Sequence, residues 1–371
     1  MGIKNKVLFL LHKPPPVHGS SMVGQYIMES KIINSTFKAK FIDIGTSKNI
    51  DEIGEKNFKK LIRHTITILK TLQTLVFFRP TLGYLAISSK GSAFYKDVML
   101  AYLIKIFGVK LVLHYHNKGV SDKHDKHIDN FLYKLLFKNT KVILLSKQLF
   151  YDLKKYLKKE DIYFCPNGIP DINIELQNPK EGSSTAKILF LSNLIESKGV
   201  YILLQALSIL KNKSVEFQCR FVGSEGDINK EEFNNKLKDL KLKSNVKYLG
   251  KKFGKEKHAI FLDTDIFAFP TFYFYECFPL VNIEAMMYGI PVVSTSEGAI
   301  TDIVENNKTG LIVQKNNPTE LASAIEMLIK KPEIRYQMGT AAQMRFKNEF
   351  TIDIFENKLC SILQQIASKT N

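Results

Sequence analysis

Glu276 and Glu284, with seven residues between them, lie in the run Phe269 to Thr295, FPTFYFYECFPLVNIEAMMYGIPVVST. An apolar stretch ends at Phe269, Pro270 opens a polar loop, a helix-like segment runs from Leu280 to Met287, and Pro-Val-Val follows Gly289-Ile290. The order is strand, loop, helix, strand. One carboxylate stands at the loop mouth and the other about two turns further along. Both would face a ligand lying beyond the carboxyl end of the strand. Such acids suit a polyhydroxyl ligand, because one carboxylate accepts two hydrogen bonds from vicinal hydroxyls. The plain alternative is a solvated loop acid beside a helix-capping acid.

Other segments suit an anion. Lys13-Pro14-Pro15-Pro16-Val17-His18-Gly19-Ser20-Ser21 follows the first apolar strand, and the spacing predicts a helix from about Met22. Gly19 and Ser20 at a helix start let backbone N–H groups approach a phosphate, although glycine and proline also make ordinary tight turns. In Phe190 to Gly199, FLSNLIESKG, Lys198 precedes a predicted helix. A cation is unfavourable there unless an anion joins it. Gly223-Ser224-Glu225-Gly226 follows a later strand. His116, just beyond the fourth strand, can donate to a hydroxyl or to developing charge, with His114 as the competing candidate. Asp263-Thr264-Asp265 precedes its strand, the wrong end for metal binding, and is expected to be solvated loop acids, so no essential metal is expected. His124-Asp125-Lys126-His127 reads as a polar loop.

The elements that must hold these residues alternate between short apolar strands and helix-period segments. Expected strands are 7–11, 40–43, 83–87, 110–114, 142–145 and 162–165, then 187–191, 217–222, 246–249, 266–269, 291–294 and 310–313. This is the β-α-β pattern twice over, an α/β chain with two doubly wound parallel sheets. At 371 residues the length suits two domains. We place them at 1–168 and 187–350, joined by a turn-rich linker at 169–186 and followed by a helical tail at 351–371.

Charge is uneven. Residues 1–170 hold 28 lysines and arginines against 12 acids, whereas residues 171–371 hold 25 against 24. A first half this basic is drawn to nucleic acid or to an anionic membrane leaflet. The segment Lys56 to Arg79, KNFKKLIRHTITILKTLQTLVFFR, is a basic amphipathic helix that suits a lipid interface, or else an ordinary surface helix with its apolar side on the core. No apolar run approaches the ~20 residues of a membrane span. A cytoplasmic protein, peripheral at the inner face of the membrane, is the expectation. The four cysteines are far apart and suggest neither a disulfide framework nor a zinc site.

Taken together, Pro270-Thr271, Glu276-Cys277-Phe278-Pro279-Leu280, Glu284-Ala285-Met286, Gly289-Ile290-Pro291-Val292-Val293, Gly298 and Asn307-Lys308-Thr309-Gly310-Leu311 resemble the signature of retaining GT-B glycosyltransferases of family 4. The resemblance implies two Rossmann-like domains facing a cleft, an acceptor-side domain first and a nucleotide-sugar-binding domain second, with the last helix crossing back to the first. It implies transfer of a sugar from a UDP- or GDP-type donor to a glycan or lipid-linked acceptor in cell-envelope polysaccharide synthesis. It gives Glu276 and His116 to the donor sugar, Glu284 to the ribose, and the backbone near Phe278 and Leu280 to the length of the donor. Gly19 and Ser20 fall in the family's first loop, Gly223 near the nucleotide, and the backbone of 246–250 at its base. Asn193 and Lys198 fall on the diphosphate clamp. Asn193 stands where the family has arginine, Ser192 where it has glycine, and Ser20 where it has a second glycine. The clamp is thus one cation short, and either Lys198 carries more of it or another lysine substitutes. Two other classes fit less well. A nucleic-acid-binding protein would use the basic half but lacks a binding motif, so no nucleic-acid partner is expected. A dinucleotide oxidoreductase would need Gly-x-Gly-x-x-Gly after the first strand.

Overall fold

A computed structural model describes residues 4–45, 58–175 and 185–368. The chain divides into two compact units, 1–168 with 352–371, and 169–351.

The first unit runs β1 (Lys6–Leu11), α1 (Gly19–Glu29), α2 (Lys31–Thr36), β2 (Lys38–Asp43), α3 (Phe58–Gln73), β3 (Leu82–Ile87), α4 (Gly91–Ile106), β4 (Lys110–Tyr115), α5 (His127–Phe137), β5 (Lys141–Leu144) and β6 (Ile162–Phe164). All six strands are parallel, in the order β2-β1-β3-β4-β5-β6. Val7 to Leu11 and all of β3 are buried, as expected where helices cover both faces of a parallel sheet and the strand reads as an unbroken apolar run.

The second unit contains β7 (Ala186–Leu191), α6 (Val200–Asn212), β8 (Phe217–Val222), α7 (Lys230–Asp239), β9 (Val246–Tyr248), α8 (Gly254–Leu262), β10 (Ile266–Phe269), α9 (Leu280–Met287), β11 (Val292–Thr295), α10 (Ile300–Ile303), β12 (Gly310–Val313), α11 (Pro318–Lys330) and α12 (Pro332–Glu349). Its parallel order is β12-β11-β10-β7-β8-β9. From β7 the chain steps one way to β8 and β9, then returns to lay β10 on the other side of β7. The switch point therefore lies between β7 and β10, where Phe267 pairs with Leu189. This is the two-sheet α/β architecture of the GT-B fold.

The last helix, α13 (Ile352–Ser368), belongs to the first unit and packs on α2. Ile169, at the start of the expected linker, is tied into the second unit: its N–H donates to Phe350 O at 3.0 Å. Residues 176–184 of that linker lie outside the described residues.

Candidate active site

In the second unit the loops after β7 and β10 are spliced together. Phe272 N donates to Ser197 O at 2.8 Å, and Thr271 Oγ1 donates to the same oxygen at 3.3 Å. Gly199 turns the first loop into α6 with φ +90°, and a Cβ on it would sit 2.3 Å from Pro270 O. Only glycine lets the loops approach this closely. Gly298 does the same behind the second loop, where φ is +57° and a Cβ would lie 2.3 Å from Glu276 O. Ala299 N adds a bond to Cys277 O at 2.9 Å.

That scaffold brings Lys198 and Glu276 together across the switch point. Lys198 Nζ donates to Glu276 Oε2 at 2.5 Å, and the side chains are only 15% and 12% exposed. The ammonium also lies 4.4 Å from the Tyr273 ring centroid and 5.7 Å from that of Phe269. Ring faces and one carboxylate thus replace its water. Eight residues on, Glu284 stands on the fifth position of α9. Its Oε1 accepts from Lys257 Nζ at 2.6 Å. Its Oε2 is buried and finds no hydrogen-bond partner among the described residues. An orphaned carboxylate oxygen costs roughly 1–3 kcal/mol or more until a donor reaches it. Glu284 and Lys257 line a cavity of about 590 Å³ together with His258, Phe261, Met287 and Tyr288.

The other expected residues fall as follows. Asn193 Oδ1 accepts from Ser224 N at 3.2 Å, so this side chain joins the loops after β7 and β8. Gly223 N donates to Gly250 O at 3.0 Å, and its carbonyl accepts from Tyr248 Oη at 2.9 Å. Phe278 is buried against Phe350. Leu280 opens α9, whose N-terminus has no side-chain cap among the described residues, while Asn282 N donates to Pro279 O at 3.2 Å. Asp263 and Asp265 are not solvated loop acids. Asp263 holds Arg220 at 2.6 Å and also pairs with Lys187, while Asp265 accepts from Lys187 N at 2.8 Å. Both are committed to the amino end of the sheet.

Residues 171–345, just under half of the chain, match the family described as Glycosyl transferases group 1. The match lies wholly within the second unit and covers most of it. Relatives include the capsular polysaccharide biosynthesis glycosyltransferase CapM of Staphylococcus aureus, 27% identical over 53% of this chain and 52% of CapM. The amylovoran biosynthesis glycosyltransferase AmsK of Erwinia amylovora is 25% identical over 71% of this chain and 66% of AmsK. These alignments therefore span about half to two thirds of the relatives' lengths. In three dimensions the chain resembles Anabaena HepE in complex with UDP, with a TM-score of 0.76 at 19% identity, covering 97% of this chain and all of that one.

Within the second unit, two residues carried no signal in the sequence. Lys257 is one lysine in a lysine-rich stretch, and Tyr273 is one aromatic among several in Phe272 to Tyr275. Only the packing of α8 beside α9 shows that the first reaches Glu284, and only the folded loop shows that the second lies against Lys198.

In the first unit the helix starts at Gly19, three residues earlier than expected. His18 caps it, its Nδ1 accepting from Ser21 N at 3.3 Å while Ser21 Oγ accepts from His18 N at 3.0 Å. Ser20 Oγ also lies 3.0 Å from His18 Nδ1. A Cβ on Gly19 would meet nothing within 4 Å, so packing alone does not require glycine there. His114 is a core residue, its Nδ1 2.6 Å from Tyr84 Oη, whereas His116 lies past the end of β4. The two rings are 4.1 Å apart, and those of His12 and His18 are 6.1 Å apart.

All four imidazoles are pushed toward neutrality. Burial, then His18 and Lys96, lowers His12 to about 4. Burial, then His12 and His18, lowers His116 to about 3 against an opposing bond from Asn167. Burial lowers His18, and burial with His116 lowers His114. At neutral pH they donate hydrogen bonds without carrying charge. An unfolded histidine takes up its proton near 6.5, so between about pH 6.5 and 4 the unfolded chain binds protons that the folded chain refuses. Stability is full above pH 6.5 and falls as the pH drops, by up to ~1.4 kcal/mol per unit per histidine. Denaturant midpoints measured from pH 7.5 to 4.5 should show this slope, and His116→Asn should flatten it.

Proposed function

We propose that this chain transfers a hexose from a nucleoside diphosphate sugar of the UDP or GDP type to a glycan acceptor, with retention at the anomeric carbon and without an essential metal. The observation that carries the reading is the Lys198–Glu276 pair on the two loops that flank the switch point of the second unit, where ligands of doubly wound sheets bind. Lys198 and the uncapped N-terminus of α9 would hold the leaving diphosphate. Glu276 would accept from sugar hydroxyls and Glu284 from pentose hydroxyls. The bond from the anomeric carbon to the phosphate oxygen breaks, and the acceptor oxygen bonds on the same face. The acceptor's proton passes to the departing phosphate oxygen. Held charges and fixed geometry supply the acceleration.

CapM and AmsK are named for capsular polysaccharide and amylovoran biosynthesis, which supports a role in cell-envelope polysaccharide assembly on a lipid-linked acceptor. Among the described residues no helix is long and apolar enough to cross a membrane. We assign membrane contact instead to α3, docking the protein peripherally at the inner face of the membrane. The HepE complexes with UDP and with UDP-glucose favour a uridine donor.

Thermal melting with UDP-, GDP- and ADP-sugars tests the donor directly. A ligand at 100 times its Kd adds ~2.7 kcal/mol and should raise the melting temperature by several degrees. If none of them shifts the transition at millimolar concentration, the reading is wrong.

A further inference from the structure

Lys257 lies outside the residues that the sequence singles out, yet it makes the one direct bond to the Glu284 carboxylate seen among the described residues. We infer that Lys257 is a positioning residue: it clamps one oxygen of Glu284 so that the other is aimed at the hydroxyls of the nucleotide's pentose. This rests on Glu284 being the pentose acceptor, as proposed above.

A glutamate side chain has three rotatable bonds, and its terminal torsion is broad. Unclamped, the Glu284 carboxylate would sample orientations that present either oxygen, both, or neither. The Lys257 bond at 2.6 Å removes that freedom from the second unit's own side. The two groups come from different helices, the lysine from the second turn of α8 and the acid from α9. The lysine is 28% exposed and the acid 22%, so the pair is largely withdrawn from solvent. The remaining oxygen, Oε2, is buried without a partner among the described residues, and Glu284 lines the cavity together with residues of both helices. A single acceptor presented in a fixed direction is what a diol needs, because the ordering cost is met before the ligand arrives. Phe261 and Tyr288, stacked with ring centroids 4.7 Å apart, and Met287 make the wall apolar. In such surroundings a carboxylate with no counter-charge would be poorly tolerated. Lys257 thus both orients Glu284 and supplies its counter-charge.

Two rival roles make different predictions. A lysine that competes with the ligand for Glu284 would weaken nucleotide binding, and its removal would tighten it. A lysine acting only through the general positive field would work equally well without Glu284.

The test is calorimetric titration of UDP and of 2′-deoxy-UDP into the wild-type protein, K257M, K257R, E284A and the K257M/E284A double variant. Thermal melts of each confirm that it is folded. Positioning predicts that K257M raises the Kd for UDP about tenfold, that K257R stays within about threefold of wild type, and that K257M adds nothing in the E284A background. The K257M effect should shrink for 2′-deoxy-UDP, which offers one hydroxyl fewer. Turnover of a nucleotide sugar should show the loss in KM rather than in kcat. The inference is overturned if K257M leaves the Kd unchanged or lowers it, or if its effect is the same with and without Glu284. If E284A itself leaves UDP binding untouched, the assignment of Glu284 to the pentose fails first, and the two failures are told apart by that single variant.

Discussion

Glu276→Gln should lower transferase turnover by about two to three orders of magnitude while leaving the Kd for the nucleotide unchanged or slightly lower. The magnitude is that of removing one preorganised polar group from a developing charge. The split between turnover and binding follows from the Lys198–Glu276 pair. Each side chain is mostly buried, and the carboxylate is the only acid recorded bonding this ammonium among the described residues. A neutral amide of the same shape still accepts from Lys198 but no longer neutralises it, so more of the cation's field is available to a diphosphate. Asn193 brings no positive charge to the adjoining loop, which makes that field the main one. What the amide cannot do is act as an anionic acceptor for sugar hydroxyls in an oxocarbenium-like transition state. Glu276→Ala should lose turnover to a similar extent and also lose stability, because removing one member of a buried pair costs at most about 3–5 kcal/mol. Nucleotide-release assays beside calorimetry separate the two effects. Wild-type turnover in E276Q would remove Glu276 from the chemistry.

The parts of this molecule that were legible in the sequence are those where one physical demand repeats along the chain. The central strands β1, β3, β4, β7, β10 and β11 are short, mostly apolar runs with little polar alternation to disguise them, whereas the edge strand β2 and β8 carry exposed polar residues between apolar ones. Lys198, Glu276 and Gly298 were legible because each sits at a fixed offset from such a strand. Pairings between helices were not. Nothing in Gly254 to Leu262 distinguishes Lys257 from Lys255 until α8 is laid beside α9. The start of α1 was missed because histidine is an uncommon cap and three prolines precede it. Asp263 and Asp265 were misread as solvated because Arg220 and Lys187, which hold them, come from β8 and β7. Periodicity reports the axis of an amphipathic helix, not which of its faces meets the core.

That ambiguity matters most for α3, which is inverted relative to an ordinary surface helix. It buries His64, Thr67 and Thr71, and the hydroxyls of Thr67 and Thr71 return to the helix's own carbonyls at 3.0 and 2.8 Å. It exposes Phe58, Leu61, Ile62, Ile66 and Leu69, and Phe77 in the following turn is 79% exposed. Such a contiguous apolar stripe marks a surface that is covered by something. Lys59, Lys60, Arg63 and Lys70 on the same helix, and the strong positive excess of residues 1–170, point to an anionic bilayer. Lys56 of the same basic run lies outside the described residues. Each lysine or arginine near an anionic leaflet contributes about 1 kcal/mol, so replacing Lys56, Lys59, Lys60 and Arg63 by glutamine should weaken binding to phosphatidylserine-containing vesicles by up to about a thousandfold. The loss should be largest at low salt, since the attraction decays within a Debye length. Leu61→Ser with Leu69→Ser should weaken binding through lost apolar burial, and the binding that remains should be the part that salt removes. Because Leu61 and Leu69 are exposed, their replacement should not lower the melting temperature appreciably. Co-sedimentation with vesicles of graded anionic content reads both effects, and undiminished binding in both sets would leave α3 without its bilayer.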